Sequence, residues 1–209
     1  KKQNKELNKF IEKKNGKNKF ICFDKNNSMN INYEDKKTKS FFNKLLSILN
    51  FSFEREREYH ISLGNYSPGY KHNLDTIKGN VHNDRYETLV LCTNNLVPIS
   101  FLYIEKNIND YDKIWTVCTD KKYRGKGMST KLLQYMIKKQ KNNDRKRMLL
   151  EVYNDDSIGR KEHDPKQEQI MRLFGNNGFK YINHKDLPYN TQFNLLSREG
   201  EGKIMVLEL

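Results

Sequence analysis

Apolar residues along this chain fall in two spacings, and the switches between them mark out the elements. Phe20-Ile21-Cys22-Phe23 is a short run of strand formers, with Met29–Tyr33 expected beside it as a hairpin partner. From Thr38 to Asn50 the spacing becomes helical, and Phe41, Phe42, Leu45, Leu46, Ile48 and Leu49 make one wide apolar face. The run Glu54–Glu58 reads as a solvated face, Asn65–Gly69 as a turn-rich break, and Leu74–Val81 as a second short helix. After Asp84 the pattern turns to sheet. Thr88–Cys92 and Val97–Ile104 flank Thr93-Asn94-Asn95, which has the chemistry of a hairpin turn. A loop over Asn107–Asp112 leads to the strand Ile114–Thr119, and Met148–Tyr153 is the next strand. Gly178 has the chemistry of a left-handed helix cap, and Phe179–Ile182 starts a strand after it. Lys203–Leu209 is a last strand after a loop over Pro188–Gly202. Before Phe20 the apolar residues are Leu7, Phe10 and Ile11, which predicts either a short helix laid on the domain or a frayed end. Residues 1–35 are therefore taken as an N-terminal extension packed on a single domain over 36–209.

The most informative stretch lies between Lys113 and Lys139. The strand leads into a basic turn with Lys121, Lys122, Arg124, Gly125, Lys126 and Gly127, and a helix follows with Met128, Leu132, Leu133, Met136 and Ile137 on one stripe. A helix that begins in a glycine turn presents unpaired N–H groups to a ligand, and such a terminus attracts anions, phosphates above all. The glycine spacing is neither that of a P-loop nor GxGxxG. Met148–Tyr153, connected through this helix, is expected to run parallel to Ile114–Thr119.

Arg124-Gly125-Lys126-Gly127-Met128-Ser129, set after VCTDKKY and before a Leu-Leu helix, resembles the Arg/Gln-x-x-Gly-x-Gly/Ala turn of the GCN5-related N-acetyltransferase (GNAT) family. Ser129 stands where the family has Gly or Ala. The resemblance is firm from about Thr88 to Ile182. It implies an α/β (or α+β) fold: a mixed sheet with an antiparallel meander, a central splayed parallel strand pair and flanking helices. It implies acetyl-CoA as cosubstrate, with Arg124, Gly125, Lys126, Gly127, Met128, Ser129 and Thr130 around the pyrophosphate. Val117, Cys118 and Thr119 would face the pantetheine arm, which pairs with the opened strand as an added β-strand. The family commonly places a Tyr four residues before the glycine corresponding to Gly178, to protonate the departing thiolate. Here that position is Phe174, which has no proton to give.

The implied reaction is direct transfer of an acetyl group to a primary amine, on a small molecule or a protein. An amine of pKa near 10.4 costs about 4–5 kcal/mol to present neutral at pH 7, so a base must take its proton. No acid lies between Asp112 and Asp120 on the Ile114 strand. Glu151 on the next strand is the candidate base, and Tyr153, two residues on and on the same face, is a candidate acid, with water as the other donor. The plainer reading of Glu151 is an ion-paired or edge-exposed strand residue. The segment Asp155–Gln169, holding Asp155, Asp156, Glu162, Asp164 and Glu168, is either a polar surface loop or an acidic wall for a cationic amine.

Composition changes this picture in one respect. The net charge is +13 over 209 residues, whereas coenzyme A carries about four negative charges, so one cofactor explains a basic rim and not the whole surplus. Nucleic-acid binding, or a scaffold on a degenerate acetyltransferase fold, is the alternative function, although no helix-turn-helix spacing, zinc finger or RNP-like aromatic run is present. Cys22, Cys92 and Cys118 are odd in number and lie in strand-like runs, which predicts buried free thiols in a reducing compartment, the cytoplasm first and the nucleus second. No Cys/His spacing suggests a metal, Cys118 reads as a packed thiol and not as a nucleophile, and no apolar run reaches the length of a membrane span or a signal peptide.

Overall fold

Eight strands form one sheet in the order β1-β2-β3-β4-β5-β6-β8-β7. They are β1 (Ile11–Asn15), β2 (Asn18–Phe23), β3 (Tyr86–Thr93), β4 (Pro98–Ile108), β5 (Tyr111–Thr119), β6 (Arg147–Tyr153), β7 (Lys180–Ile182) and β8 (Gly202–Glu208). The helices are α1 (Lys5–Asn8), α2 (Lys25–Ser28), α3 (Lys36–Ser52), α4 (Leu74–His82), α5 (Met128–Asn142) and α6 (Pro165–Gly175). The computed structural model describes residues 5–28, 31–54, 58, 61–62, 64, 71–108, 111–153, 165–187 and 202–209. The predicted break at 65–69, the acidic residues at 155, 156, 162 and 164, and the loop over 188–201 lie outside them. Among the described residues no helix is long and apolar enough to cross a membrane, and no group of three or more His, Cys, Asp or Glu could hold a metal.

The chain divides into two units, Lys1–Ile104 with Thr116–Leu132, and Glu105–Trp115 with Leu133–Leu209. In the first unit, Asp35 caps α3 by accepting from the Lys37 and Thr38 N–H groups. The apolar face of that helix delivers Phe41 and Phe42 to a ring cluster with Phe10, Phe23 and Tyr33. The partner of β2 differs from the sequence expectation. Residues 29 and 30 of the expected partner lie outside the described residues and 31–33 are not strand, while β2 pairs antiparallel with β1 on one side and β3 on the other. β1 (IEKKN) escaped a reading based on alternation because it is an edge strand, and charge at an edge discourages pairing with other chains. Its two-residue connection to β2 puts Gly16 at φ +57, a hairpin position that favours glycine.

In the second unit β5 and β6 pair in parallel from Tyr111↔Arg147 to Ile114↔Leu150, and β6 pairs antiparallel with β8 along its whole length. Tyr111, Leu149, Leu187 and Ile204 form one buried apolar cluster in it, with Ile182 and Val206 packed against them. Helix α6 starts at Pro165, a residue suited to the first helical position, so Pro165–Gln169 are helix and not the tail of the expected loop. The predicted cap is present in full. Gly178 has φ +91, its N–H bonds Gly175 O at 3.0 Å, and the Phe179 N–H bonds Phe174 O at 3.2 Å. The Phe174 and Phe179 rings meet edge-on, 5.3 Å apart. This is the paired-bond cap with its accompanying apolar contact.

Side-chain hydrogen bonds link β4 and β5 within each unit. Ser100 Oγ meets Thr119 Oγ1 at 2.8 Å, and the Trp115 indole N–H donates to Glu105 at 2.8 Å.

Candidate functional site

The glycine turn is built from three anchors, all in the first unit. At the end of β5 the Asp120 N–H bonds Ile99 O at 2.8 Å, and its carboxylate accepts from the Lys122 N–H at 2.8 Å and pairs with Lys44 of α3. Burial pushes the Asp120 carboxyl up, but the bonds from Lys44 and the Lys122 N–H pull harder, so its pKa lies below the usual aspartate value. An Asp at a strand–turn junction is a turn-forming signal that the sequence reading passed over.

The second anchor is Arg124. Its Nε donates to Thr119 O at 3.1 Å and its Nη2 to Ser52 Oγ at 3.3 Å, while the guanidinium carbon lies 4.8 Å from the centre of the Phe51 ring. Phe51 and Ser52 close α3, and neither was singled out from sequence.

The third anchor is a chain of hydroxyls. Ser100 Oγ lies 2.7 Å from the Cys118 carbonyl oxygen, and Thr119 Oγ1 lies 2.8 Å from Ser100 and 2.7 Å from Ser129 Oγ. A carbonyl only accepts, so Ser100 spends its one proton on Cys118. Thr119 must then donate to Ser100, and Ser129 to Thr119. The Ser129 proton is thus directed inward, toward Thr119.

Gly125 and Gly127 sit at φ +71 and φ +72, and nothing lies within 4 Å of a Cβ built on either. Conformation and not crowding therefore calls for glycine here, and the space beside both residues is open. The first helical bond of α5 runs from the Lys131 N–H to Gly127 O at 3.0 Å, which leaves the Met128, Ser129 and Thr130 N–H groups ahead of the ladder. Lys126 Nζ donates to Lys122 O at 2.8 Å, and Lys121, Lys122, Arg124 and Lys126 are all exposed. The positions expected around a pyrophosphate, Arg124 to Thr130, thus share one open basic turn with a helix terminus. Preceding it on β5, Val117 is half-buried and Cys118 and Thr119 are buried. The three cysteines are free and buried.

The remaining candidates belong to the second unit. Glu151 pairs with Lys113 Nζ at 2.6 Å, and the side chains are 4% and 2% exposed. Lys113 Nζ also lies 3.6 Å from the centre of the Trp115 ring, whose indole holds Glu105. Burial lowers the Lys113 pKa, and Glu151, then Glu105, oppose that shift. Tyr153 takes its place in β6 opposite Gly202 of β8. Phe174 is 3% exposed and its ring serves the α6 cap. Glu168 is a helix residue paired with Arg172 at 3.1 Å.

A model of the acetyltransferase (GNAT) family matches residues 44–161. Among curated proteins none matches the sequence. Solved structures with a similar fold include an acetyltransferase from Streptococcus agalactiae (TM-score 0.58, 16% identity, 91% of this chain and 98% of that one). A GNAT-family acetyltransferase from Staphylococcus aureus has a TM-score of 0.54 at 18% identity, over 82% of this chain and 94% of that one. Tetrahymena GCN5 also has a TM-score of 0.54, at 12% identity, over 84% and 91%.

Proposed function

Because the chain belongs to the GNAT family of acetyltransferases, we propose that it moves an acetyl group directly from acetyl-CoA to a primary amine, on a small molecule or a protein. The observation that carries this reading is the open turn Arg124–Gly127 feeding the N-terminus of α5. Two left-handed glycines keep side chains away from a turn that carries unpaired helix N–H groups and four exposed cations, an arrangement suited to a pyrophosphate. In this reading the pantetheine arm runs along Val117, Cys118 and Thr119, with the thioester carbonyl polarised by a backbone N–H of β5. Cys118 is a packing thiol here and plays no covalent part. The free buried cysteines fit a reducing, cytoplasmic setting.

For proton transfer the reading assigns Glu151 as acceptor of the amine proton and Tyr153 as donor to the leaving thiolate. The ion pair favours a second reading of Glu151. A proton added to it removes the close counter-ion of the buried Lys113 ammonium, and breaking such a pair costs about 3–5 kcal/mol. On that reading Lys113 and Glu151 brace β5 against β6, and water takes the amine proton.

Calorimetry with acetyl-CoA and CoA tests the function directly. Micromolar binding that also raises the melting temperature is expected, and Gly127→Glu should abolish it by setting a carboxylate at the phosphate position. Acetyl transfer is then read as free-thiol release across a panel of amines. No CoA binding by the wild type, together with retention on DNA or RNA at physiological salt, would replace the enzyme reading with the nucleic-acid one.

A further inference from the structure

We propose that the C-terminal end of α3 is a working part of the phosphate turn: Phe51 and Ser52 are positioning residues that hold the Arg124 guanidinium ready for an anion. The proposal rests on the phosphate reading of the turn and adds to it a second element, distant in sequence.

Phe51 is a large apolar side chain left 39% exposed at the end of an otherwise amphipathic helix. Two cations of the turn lie over its ring, Arg124 at 4.8 Å and Lys121 at 5.6 Å. A ring face attracts a cation electrostatically, and a guanidinium adds planar stacking. Ser52 Oγ takes one N–H of the same guanidinium, and Thr119 O takes another. Three contacts from two elements thus define the plane of the group. A free arginine has many rotamers to lose on gripping a phosphate, so one held in advance binds with a smaller entropy loss. The location helps as well, because a cation beside a helix C-terminus meets the negative end of its dipole. Phe51 and Ser52 need not touch the ligand; they act through Arg124, and removing that arginine should erase their effect.

A double-mutant cycle on the full chain tests this, with CoA and inorganic pyrophosphate as probes and melting curves to confirm folding. Phe51→Ala and Phe51→Leu should each raise the Kd for CoA about two- to five-fold, while Phe51→Tyr, which keeps the ring face, should bind as the wild type does. In an Arg124→Ala background the same Phe51 changes should alter Kd by less than about 1.5-fold, because coupling vanishes when the partner is gone. Ser52→Ala should follow the same pattern. Equal losses in both backgrounds, or wild-type affinity in Phe51→Leu, would overturn the proposal. A wild type that binds pyrophosphate with this coupling but ignores CoA would leave the positioning role standing and remove the cofactor assignment. Binding of neither probe would remove both.

Discussion

The Lys113–Glu151 pair allows fold and chemistry to be separated by experiment. Lys113 is 1% exposed and Glu151 lies 2.6 Å from its ammonium, so replacing either partner alone removes the close counter-ion of a buried charge. Breaking such a pair costs about 3–5 kcal/mol. Glu151→Leu should fall near the lower end, because Glu105 also stabilises the Lys113 charge. For a chain of this size that loss lowers the melting temperature by about 6–20 °C. Removing both charges in Lys113→Met/Glu151→Leu should recover most of it, since apolar replacements of a buried pair are commonly neutral or stabilising by about 1–4 kcal/mol. Thermal melts followed by circular dichroism, supported by urea titrations, measure these differences. Proton linkage supplies an independent check. With the Lys113 pKa lowered in the folded state, the unfolded chain holds more protons between that value and the ordinary 10.5, so stability gains from rising pH within that window. Glu151→Leu should open the window at a lower pH. A single variant that melts within a degree of the wild type would refute the argument. Turnover of the restored double variant then decides the role of Glu151: a loss of about 10²–10⁴-fold marks it as the base, and retained activity marks it as a brace.

Three further substitutions have expected outcomes. Phe174→Tyr places a hydroxyl where the ring is 3% exposed and packed on Phe179, and an unsatisfied buried hydroxyl costs about 1–3 kcal/mol; a lower melting temperature with no gain in turnover is expected, and a faster enzyme with an unchanged melt would place the hydroxyl within reach of the thiolate. Tyr153→Phe should slow turnover where Tyr153 is the acid and leave it unchanged where water is. Asp120 has a lowered pKa, so the stability it contributes is present above the ordinary value of 3.8 and lost as pH falls through its folded pKa. Asp120→Asn should flatten the acid limb of the melting temperature–pH curve and weaken CoA binding by loosening the turn, which acid titrations and calorimetry would show.

How much of this was legible beforehand varied with the kind of information involved. The Arg124–Ser129 turn, the stripe of α5 and the Gly178 cap rest on local spacing and on backbone conformations that favour glycine, so six to twelve residues carried enough information to place them. The strands with Phe20–Phe23, Leu89–Cys92 and Met148–Leu150 were equally readable, since continuous apolar runs mark strands buried on both faces. β1 was not, because an edge strand is defined by its neighbour and by charges that also suit a loop. The support around the site was hidden for a related reason. Ser52 is 72 residues from Arg124, and Ser100 lies 18 and 19 residues from Cys118 and Thr119, in a different strand. Glu151 illustrates the limit best: alternation assigned its face, but only tertiary structure decided that the side chain across from it would be Lys113. Periodicity constrains which way a side chain points, and the chemistry of a carboxylate depends on what the fold brings to meet it.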